Sequence, residues 1–562
     1  MFYKTNVTCP WWKKTVVYHL YTRSFYDSNG DGIGDIKGIL SKLDYLKDLG
    51  VETIWFSPFF KSPQKDFGYD IIDYYDIDSS YGDIKLCEKL IDEVHKRDMK
   101  IVFDLVLNHT SDKHPWFLES RSSRDNPKRD WYVWQDGKWG GRPPNNWKSM
   151  IGGSGWHYDK ETGQWYWAQF LPFQPDLNFR NSEVKKAMFE IVRFWLNKKV
   201  DGFRLDIIDA IYEDPSLKNN PLSINLFPSD TNINRFFQKL KYTLDYPDTI
   251  KFVKELRKVI DEFDEPSRFL VGEVITNLET CRKYCGEQKP DGLNTVFIFN
   301  TLRIPHSAKH FKNLIKNFEK YFPDPFIPTW FFSNHDRMRR ITRLGNNIEK
   351  AKLHAAFQLT IRGIPYIYYG EEIGMESPRF LKKNSKDEMA LKYKWVPQVF
   401  FDFVRIVGAE SFNRDEQRTP MQWSAKPNAG FCSPGVKPWL PIPKSYKKIN
   451  VKNQEEDIDS LLNCYKRFLK IRTQIYALNQ GSLELLNQDN ISKNLLAYIR
   501  KTKIKDKTQE AYVFLNFGNK KIYFKNPINN TKLLASTSVK TNPFTNDKII
   551  LTSQEGIVVL KN

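Results

Sequence analysis

Short apolar runs recur along the chain, each followed by polar residues and then by a segment whose apolar positions return every three or four residues. The runs are TVVYHLYTRSF (15–25), TIWFSPFF (53–60), KIVFDLVLNHT (100–110), GFRLDII (202–208), RFLVGEV (268–274), LNTVFIFN (293–300), TWFFSNHD (329–336) and IPYIYYGEEIG (364–374). Helical patterns stand between them: ILSKLDYLKDLG, whose closing Gly50 reads as a stop, a segment around 84–97, EVKKAMFEIVRFWLNKK and TIKFVKELRKVIDEF. Eight strands alternating with helices predict an α/β fold, a (β/α)8 TIM barrel. An open doubly wound sheet is the rival, but no glycine-rich phosphate loop follows any of the strands.

Two segments break the alternation. Between the third run and its helix lies a long stretch that holds eight of the sixteen tryptophans, together with the turn-rich GGRPPNNW and GGSGW. A connection this long inside a barrel is usually functional, and it reads as an inserted lid. Beyond about residue 480 the texture changes to short β-rich runs, NLLAYIRK, EAYVFLNF, KKIYFK and EGIVVLK, split by Asn, Gly, Lys and Pro. That pattern predicts an antiparallel β-sandwich. The expected domains are residues 1–110 with 177–478 for the barrel, 111–176 for the lid and 479–562 for the sandwich.

Polar residues collect at the C-terminal ends of the runs, where barrels of this kind carry function. Asn108 and His109 end the third run, Asp206 the fourth, Glu273 the fifth, and Asn334, His335 and Asp336 the seventh. In the fourth, Arg204 and Asp206 are two residues apart, so on a strand both leave the same face. An arginine beside it keeps a carboxylate ionised, and a positioned, ionised aspartate is a nucleophile for covalent catalysis. Two carboxylates flanking one bond, one ionised and one protonated, are what glycoside hydrolysis requires.

Composition alters this picture little. The 562 residues allow a large barrel with appendages, and the 15 % aromatic content suits both a core and stacking on sugar rings. The net charge of +19 is spread over predicted helices and the C-terminal region without a nucleic-acid motif, so solvated lysine faces account for it and no nucleic-acid partner is expected. Six scattered cysteines, with only Cys281 and Cys285 near each other, fit a reducing compartment. No run reaches the length of a membrane span and the N-terminus shows no secretion pattern. No membrane partner is expected, and the reading is a cytoplasmic monomer.

DLVLNHT, GFRLDIIDA, GEV and FFSNHD, in this order and spacing, resemble the four signature regions of the α-amylase superfamily of glycoside hydrolases. QPDLN (174–178) and IPYIYYGEEIG add two further regions, and QPDLN is similar to that of the oligo-1,6-glucosidase and α-glucosidase branch. The resemblance implies a retaining, exo-acting α-glucosidase for short oligosaccharides, working without a catalytic cofactor. Asp206 would be the nucleophile, Glu273 the general acid and base, and Asp336 the stabiliser of the oxocarbenium-like transition state. Arg204 would orient Asp206, and His109 and His335 would bind sugar hydroxyls. Tyr69 would stack on the terminal glucose, while Asp66 and Arg418 would close the pocket around its far hydroxyls. A glucosyl transferase or isomerase of the sucrose isomerase or trehalose synthase type, and a trehalose-6-phosphate hydrolase, would use the same carboxylates.

Linkage preference turns on Ile207. In the resembled branch Ala or Thr here accompanies α-1,4 substrates and Val accompanies α-1,6, so a branched Ile points to α-1,6. YEDPSLKNNP and KYKWVPQVFFDFV look more like the α-1,4-acting enzymes. Finally, DSNGDGIGD (27–35) sets oxygens at Asp27, Asn29, Asp31, the Ile33 carbonyl and Asp35, an alternation that suits a hard cation. It resembles the calcium or magnesium loop after the first strand of this branch, and a structural Ca2+ or Mg2+ is expected.

Overall fold

A computed structural model describes residues 9–561 apart from 226–230, 264, 409–410, 488–490, 506, 529–530, 540–541 and 546–547. The first eight residues, on which part of the N-terminal reading falls, lie outside the described residues. Every apolar run contains a strand: β1 (Val17–Leu20), β2 (Thr53–Phe56), β3 (Lys100–Leu105), β4 (Gly202–Leu205), β5 (Phe269–Glu273), β6 (Thr295–Phe297), β7 (Thr329–Phe331) and β8 (Ile364–Tyr368). They form one sheet in the order β6-β5-β4-β3-β2-β1-β8-β7. Sequential strands are neighbours and β1 lies beside β8, the order of a nearly closed (β/α)8 barrel. The pairs along β3–β4–β5–β6 and along β1–β8–β7 are parallel. Every strand residue is buried except Lys100, which is half-buried.

The helices between strands follow from caps and amphipathic spacing. Ile84–His95 starts where the Asp83 side chain accepts from the Leu86 N–H, and it buries Cys87, Leu90, Ile91 and Val94 on one face. Ser182–Asn197 is capped by Asn181 and buries Val184, Met188, Ile191, Val192, Trp195 and Leu196. The single helix predicted over 39–50 is two short ones, Ile36–Leu40 and Leu43–Leu49, because Lys42 leaves the helical region at φ −115° and ψ 5°. Gly50 ends the second at φ +95°, a left-handed stop that glycine adopts without strain.

The chain divides into two compact units. One comprises Trp55–Lys96 and Lys100–Phe299. Within it, the tryptophan-rich stretch folds into a three-stranded antiparallel sheet whose middle strand, Gln164–Trp167, pairs with Trp134–Gln135 and Trp156–Asp159. Trp147, Trp156 and Trp167 form a buried cluster, with ring centroids 5.2 to 5.8 Å apart. These tryptophans are therefore a small core of their own, whereas Trp139 stands 91 % exposed at a turn.

The other unit comprises Met1–Ile54, Arg97–Met99 and Asn300–Asn562. Its C-terminal part is the antiparallel sandwich expected from the β-rich texture. The strands are β9 (Ser482–Leu486), β10 (Leu495–Ile504), β11 (Lys507–Asn516), β12 (Ile522–Lys525), β13 (Thr531–Ser536), β14 (Phe544–Thr545), β15 (Lys548–Leu551) and β16 (Gly556–Lys561). One sheet has the order β9-β10-β11-β16-β13 and the other β12-β15-β14. Leu495, Phe514, Ile557 and Val559 from the first meet Ile522, Phe524, Ile549 and Leu551 from the second in a single buried cluster.

Candidate active site

Parallel register sets the first group of candidate residues. Asp104 on β3 lies opposite Arg204 on β4, and Arg204 lies opposite Val271 on β5. The last β4–β5 pair is Leu205 with Gly272, so Asp206 and Glu273 are the next residues along two adjacent strands. Adjacent strands are about 4.8 Å apart. The register therefore brings two carboxylates from distant parts of the sequence to one strand edge.

Arg204 joins them. Its side chain is only 3 % exposed, and its Nη1 donates to Asp206 Oδ1 at 2.5 Å and to Asp104 Oδ1 at 2.8 Å. Nη2 donates to Glu273 Oε2. Burial alone would lower the Arg204 pKa, but Asp104, Glu273 and Asp206 around it hold it well above its ordinary value. The guanidinium also lies 5.3 Å from the Trp55 ring and 5.9 Å from the Tyr69 ring. Asp104 accepts on its second oxygen from Trp55 Nε1 at 3.2 Å and from the Tyr69 hydroxyl at 3.3 Å. Burial pushes the Asp104 carboxyl up to about 7, against the lowering pull of Arg204.

The flanking residues are fixed by their own bonds. His109 Nε2 donates to the Tyr69 carbonyl at 3.1 Å, and burial lowers its pKa, so the imidazole is neutral at neutral pH. Asp66 accepts from Gln174 Nε2 at 3.1 Å. Gln174 opens QPDLN and holds Asp66 in place, a role the motif alone did not disclose. Ile207 directly follows Asp206 at φ +42° and ψ +47°, a left-handed conformation rare for a β-branched residue. Such backbone costs about 1–3 kcal/mol and collects at functional sites. Asp66, Tyr69, His109, Arg204, Asp206 and Glu273 all belong to the unit that contains β3 to β6.

The second group lies in the other unit, in the segment after β7. The Asn334 side chain accepts from the Asp336 and Arg337 N–H groups at 3.0 and 2.8 Å and fixes that turn. Asp336 Oδ1 accepts from Arg418 Nη2 at 2.8 Å and Arg414 Nη1 at 3.3 Å, while Oδ2 lies 3.2 Å from His335 Nε2. Burial alone would raise the Asp336 pKa, but His335, Arg414 and Arg418 hold it well below the usual carboxylate range. Arg418 is fully buried and also donates from Nε to the His335 carbonyl at 2.9 Å. Arg414 is anchored in turn by Asp387, with an N–O distance of 2.7 Å. Arg414 and Asp387 carry no motif signal of their own; Asp104 opens the DLVLNHT region but was given no role there.

The loop at 27–35 closes on itself. Asp27 accepts from the N–H groups of Asn29, Gly30 and Gly32 at 3.1, 2.7 and 2.8 Å. Asp35 accepts from the Ser28 N–H and hydroxyl at 2.8 Å each and from the Gly38 N–H at 2.6 Å. Asn29 and Asp31 accept from the Asp31 and Ile33 N–H groups. Gly32 has φ +87°, and a Cβ there would meet the Lys437 carbonyl oxygen at 2.2 Å. A carboxylate offers about four acceptor positions, so each aspartate keeps capacity for a cation. Among the described residues, however, no group of three or more His, Cys, Asp or Glu is arranged to hold a metal.

A barrel with carboxylates gathered at its strand ends defines a class, and comparison with known proteins identifies it. Residues 19–481 match the model of the alpha-amylase catalytic domain, and the chain belongs to the α-amylase family of glycoside hydrolases. It is 39 % identical over 545 residues to an oligo-1,6-glucosidase of Parageobacillus thermoglucosidasius, with 92 % of each chain covered. It is 37 % identical over 529 residues to a trehalose-6-phosphate hydrolase of Bacillus subtilis, with 88 % of each covered. Among solved structures, the alpha-glucosyl transfer enzyme XgtA matches with a TM-score of 0.87 at 33 % identity, covering 99 % of this chain and 100 % of that one.

Proposed function

We propose that the chain is a retaining, exo-acting α-glucosidase that releases terminal α-linked glucose from short oligosaccharides. The observation that carries the reading is the Arg204 guanidinium held between Asp206 and Glu273 at adjacent strand ends. Adjacent strands about 4.8 Å apart suit the separation of about 5 Å at which one carboxylate attacks the anomeric carbon while the other protonates the leaving oxygen. Asp206, bound to Arg204, is the nucleophile, and Glu273 is the acid and then the base that activates water. Asp336, kept ionised by its arginines, stabilises the positive charge that develops on the ring. Neutral His109, together with His335, binds sugar hydroxyls, Tyr69 stacks on the terminal glucose, and Asp66 and Arg418 bind its far side. The 111–176 insertion acts as the lid, and the enzyme works as a cytoplasmic monomer on small glucosides.

Asp206→Asn and Glu273→Gln should each abolish turnover while leaving the circular dichroism spectrum and Tm near those of the parent. Near-normal glucose release by either purified variant would remove the assignment. A second reading is supported by the trehalose-6-phosphate hydrolase relatives, one of them a Bacillus licheniformis structure with a TM-score of 0.84. Glucose release from maltose, isomaltose, sucrose, trehalose and trehalose-6-phosphate separates the two, and transfer products in place of glucose would mark a transferase.

A further inference from the structure

The excursion between β8 and RTPMQW carries the helix Gln398–Gly408, QVFFDFVRIVG. One of its faces is seated. Phe401 is buried, with its ring 5.5 Å from that of Phe412. Arg405 pairs with Glu416 and donates to the Ser377 carbonyl at 2.5 Å. Asp402 is bound by both nitrogens of the Arg379 fork at 2.7 Å.

The opposite face is apolar and open. Val399, Phe403 and Ile406 are 77, 59 and 80 % exposed, and Trp395, just before the helix, is 76 % exposed. Spacings of four and three residues put Val399, Phe403 and Ile406 on one side of the helix. Single exposed apolar residues need no explanation, but a contiguous stripe of large ones marks a contact surface. Lys383, Lys386, Lys392 and Lys394 are exposed in the stretch that leads into it. Among the described residues of this stretch, Asp387 and Asp402 are bound to Arg414 and Arg379, which leaves these two carboxylates neutralised beside the exposed lysines.

We propose that this face docks on the surface of an anionic lipid bilayer. A helix with Val, Phe and Ile on one side, preceded by an exposed Trp and by exposed lysines, has the composition of a segment that lies in the headgroup layer. Charge decides between occupants. The chain carries +19, which draws it to a negative surface. A second copy would set one lysine rim against another. No described helix is long and apolar enough to cross a membrane, so the contact is peripheral. On the sequence alone, solvated lysine faces account for the positive charge and no membrane partner is expected; a surface contact needs only one helix face.

The test is co-sedimentation of the full-length protein with phosphatidylcholine vesicles that contain or lack phosphatidylglycerol. The protein should pellet with the anionic vesicles, remain in solution with the neutral ones and be released by salt. The Phe403→Asp, Ile406→Asp double variant, whose side chains are exposed and outside the proposed site, should retain glucosidase activity and lose at least about tenfold of its vesicle binding. Equal pelleting of parent and variant, or no pelleting of the parent, would overturn the proposal. So would a concentration-dependent dimer in analytical ultracentrifugation that this variant abolishes, which would assign the stripe to a second copy.

Discussion

Arg204 makes its three carboxylate contacts with one guanidinium, and only one of them was legible in the sequence. The Asp206 contact follows from the two-residue period of a strand. Those to Asp104 and Glu273 depend on the register of three strands about one hundred and seventy residues apart end to end, which no local pattern encodes. Ile207 was legible as an identity but not as a conformation; its left-handed backbone is set by the sharp turn after β4. Its side chain is buried, and the residue directly follows Asp206, the proposed nucleophile. Ile207→Thr should move relative kcat/KM from isomaltose towards maltose by about tenfold, the scale of one or two methyl groups in a pocket. An unchanged ratio of the two specificity constants would detach linkage choice from this residue.

At the scale of elements, a directional chain of hydrogen bonds joins the segment after β7 to the sandwich. Arg340 Nε donates to His354 Nδ1 at 3.2 Å, which leaves Nε2 of His354 as the donor to His306 Nδ1 at 2.9 Å. His306 Nε2 then donates to Gln554 Oε1 at 2.7 Å. Both imidazoles must be neutral for this order to hold, and burial lowers His306 to about 4 and His354 well below its ordinary value. A lowered folded-state pKa means that the unfolded chain takes up protons first as the pH falls. This contribution is therefore complete above about pH 6.5 and is lost progressively as the pH falls towards the folded value. Tm measured from pH 7 to pH 4.5 should fall, and His306→Gln should flatten the slope; a variant with the parental slope would clear this chain of the effect. The 27–35 loop is a second element open to a direct test. If Asp27, Asn29, Asp31, the Ile33 carbonyl and Asp35 hold a structural cation, chelation should lower Tm and added Ca2+ should restore it. A Tm indifferent to both would leave the loop to its own amides.

For the whole molecule, the eight-strand order was readable because parallel barrel strands are buried on both faces and appear as near-continuous apolar runs. The sandwich was readable from its short alternating strands, but its attachment to the rest of its unit was not, because that attachment includes a buried arginine bound to backbone carbonyls and a buried hydroxyl pair. Arg500 on β10 donates to the carbonyls of Thr360, Leu478 and Gly481 at 2.6, 2.7 and 2.8 Å. The Tyr498 and Thr360 hydroxyls are 2.6 Å apart. Removing the sandwich would strand the Thr360 and Leu478 carbonyls that Arg500 satisfies, and each unsatisfied buried group costs about 1–3 kcal/mol. Against a total stability of about 5–15 kcal/mol, losing both at once removes a large share. Residues 1–478 expressed alone should therefore be insoluble or lack a cooperative melt, and Arg500→Ala in the full chain should lower Tm by several degrees. A soluble 1–478 fragment with the parental Tm and full glucosidase activity would show the sandwich to be an independent appendage.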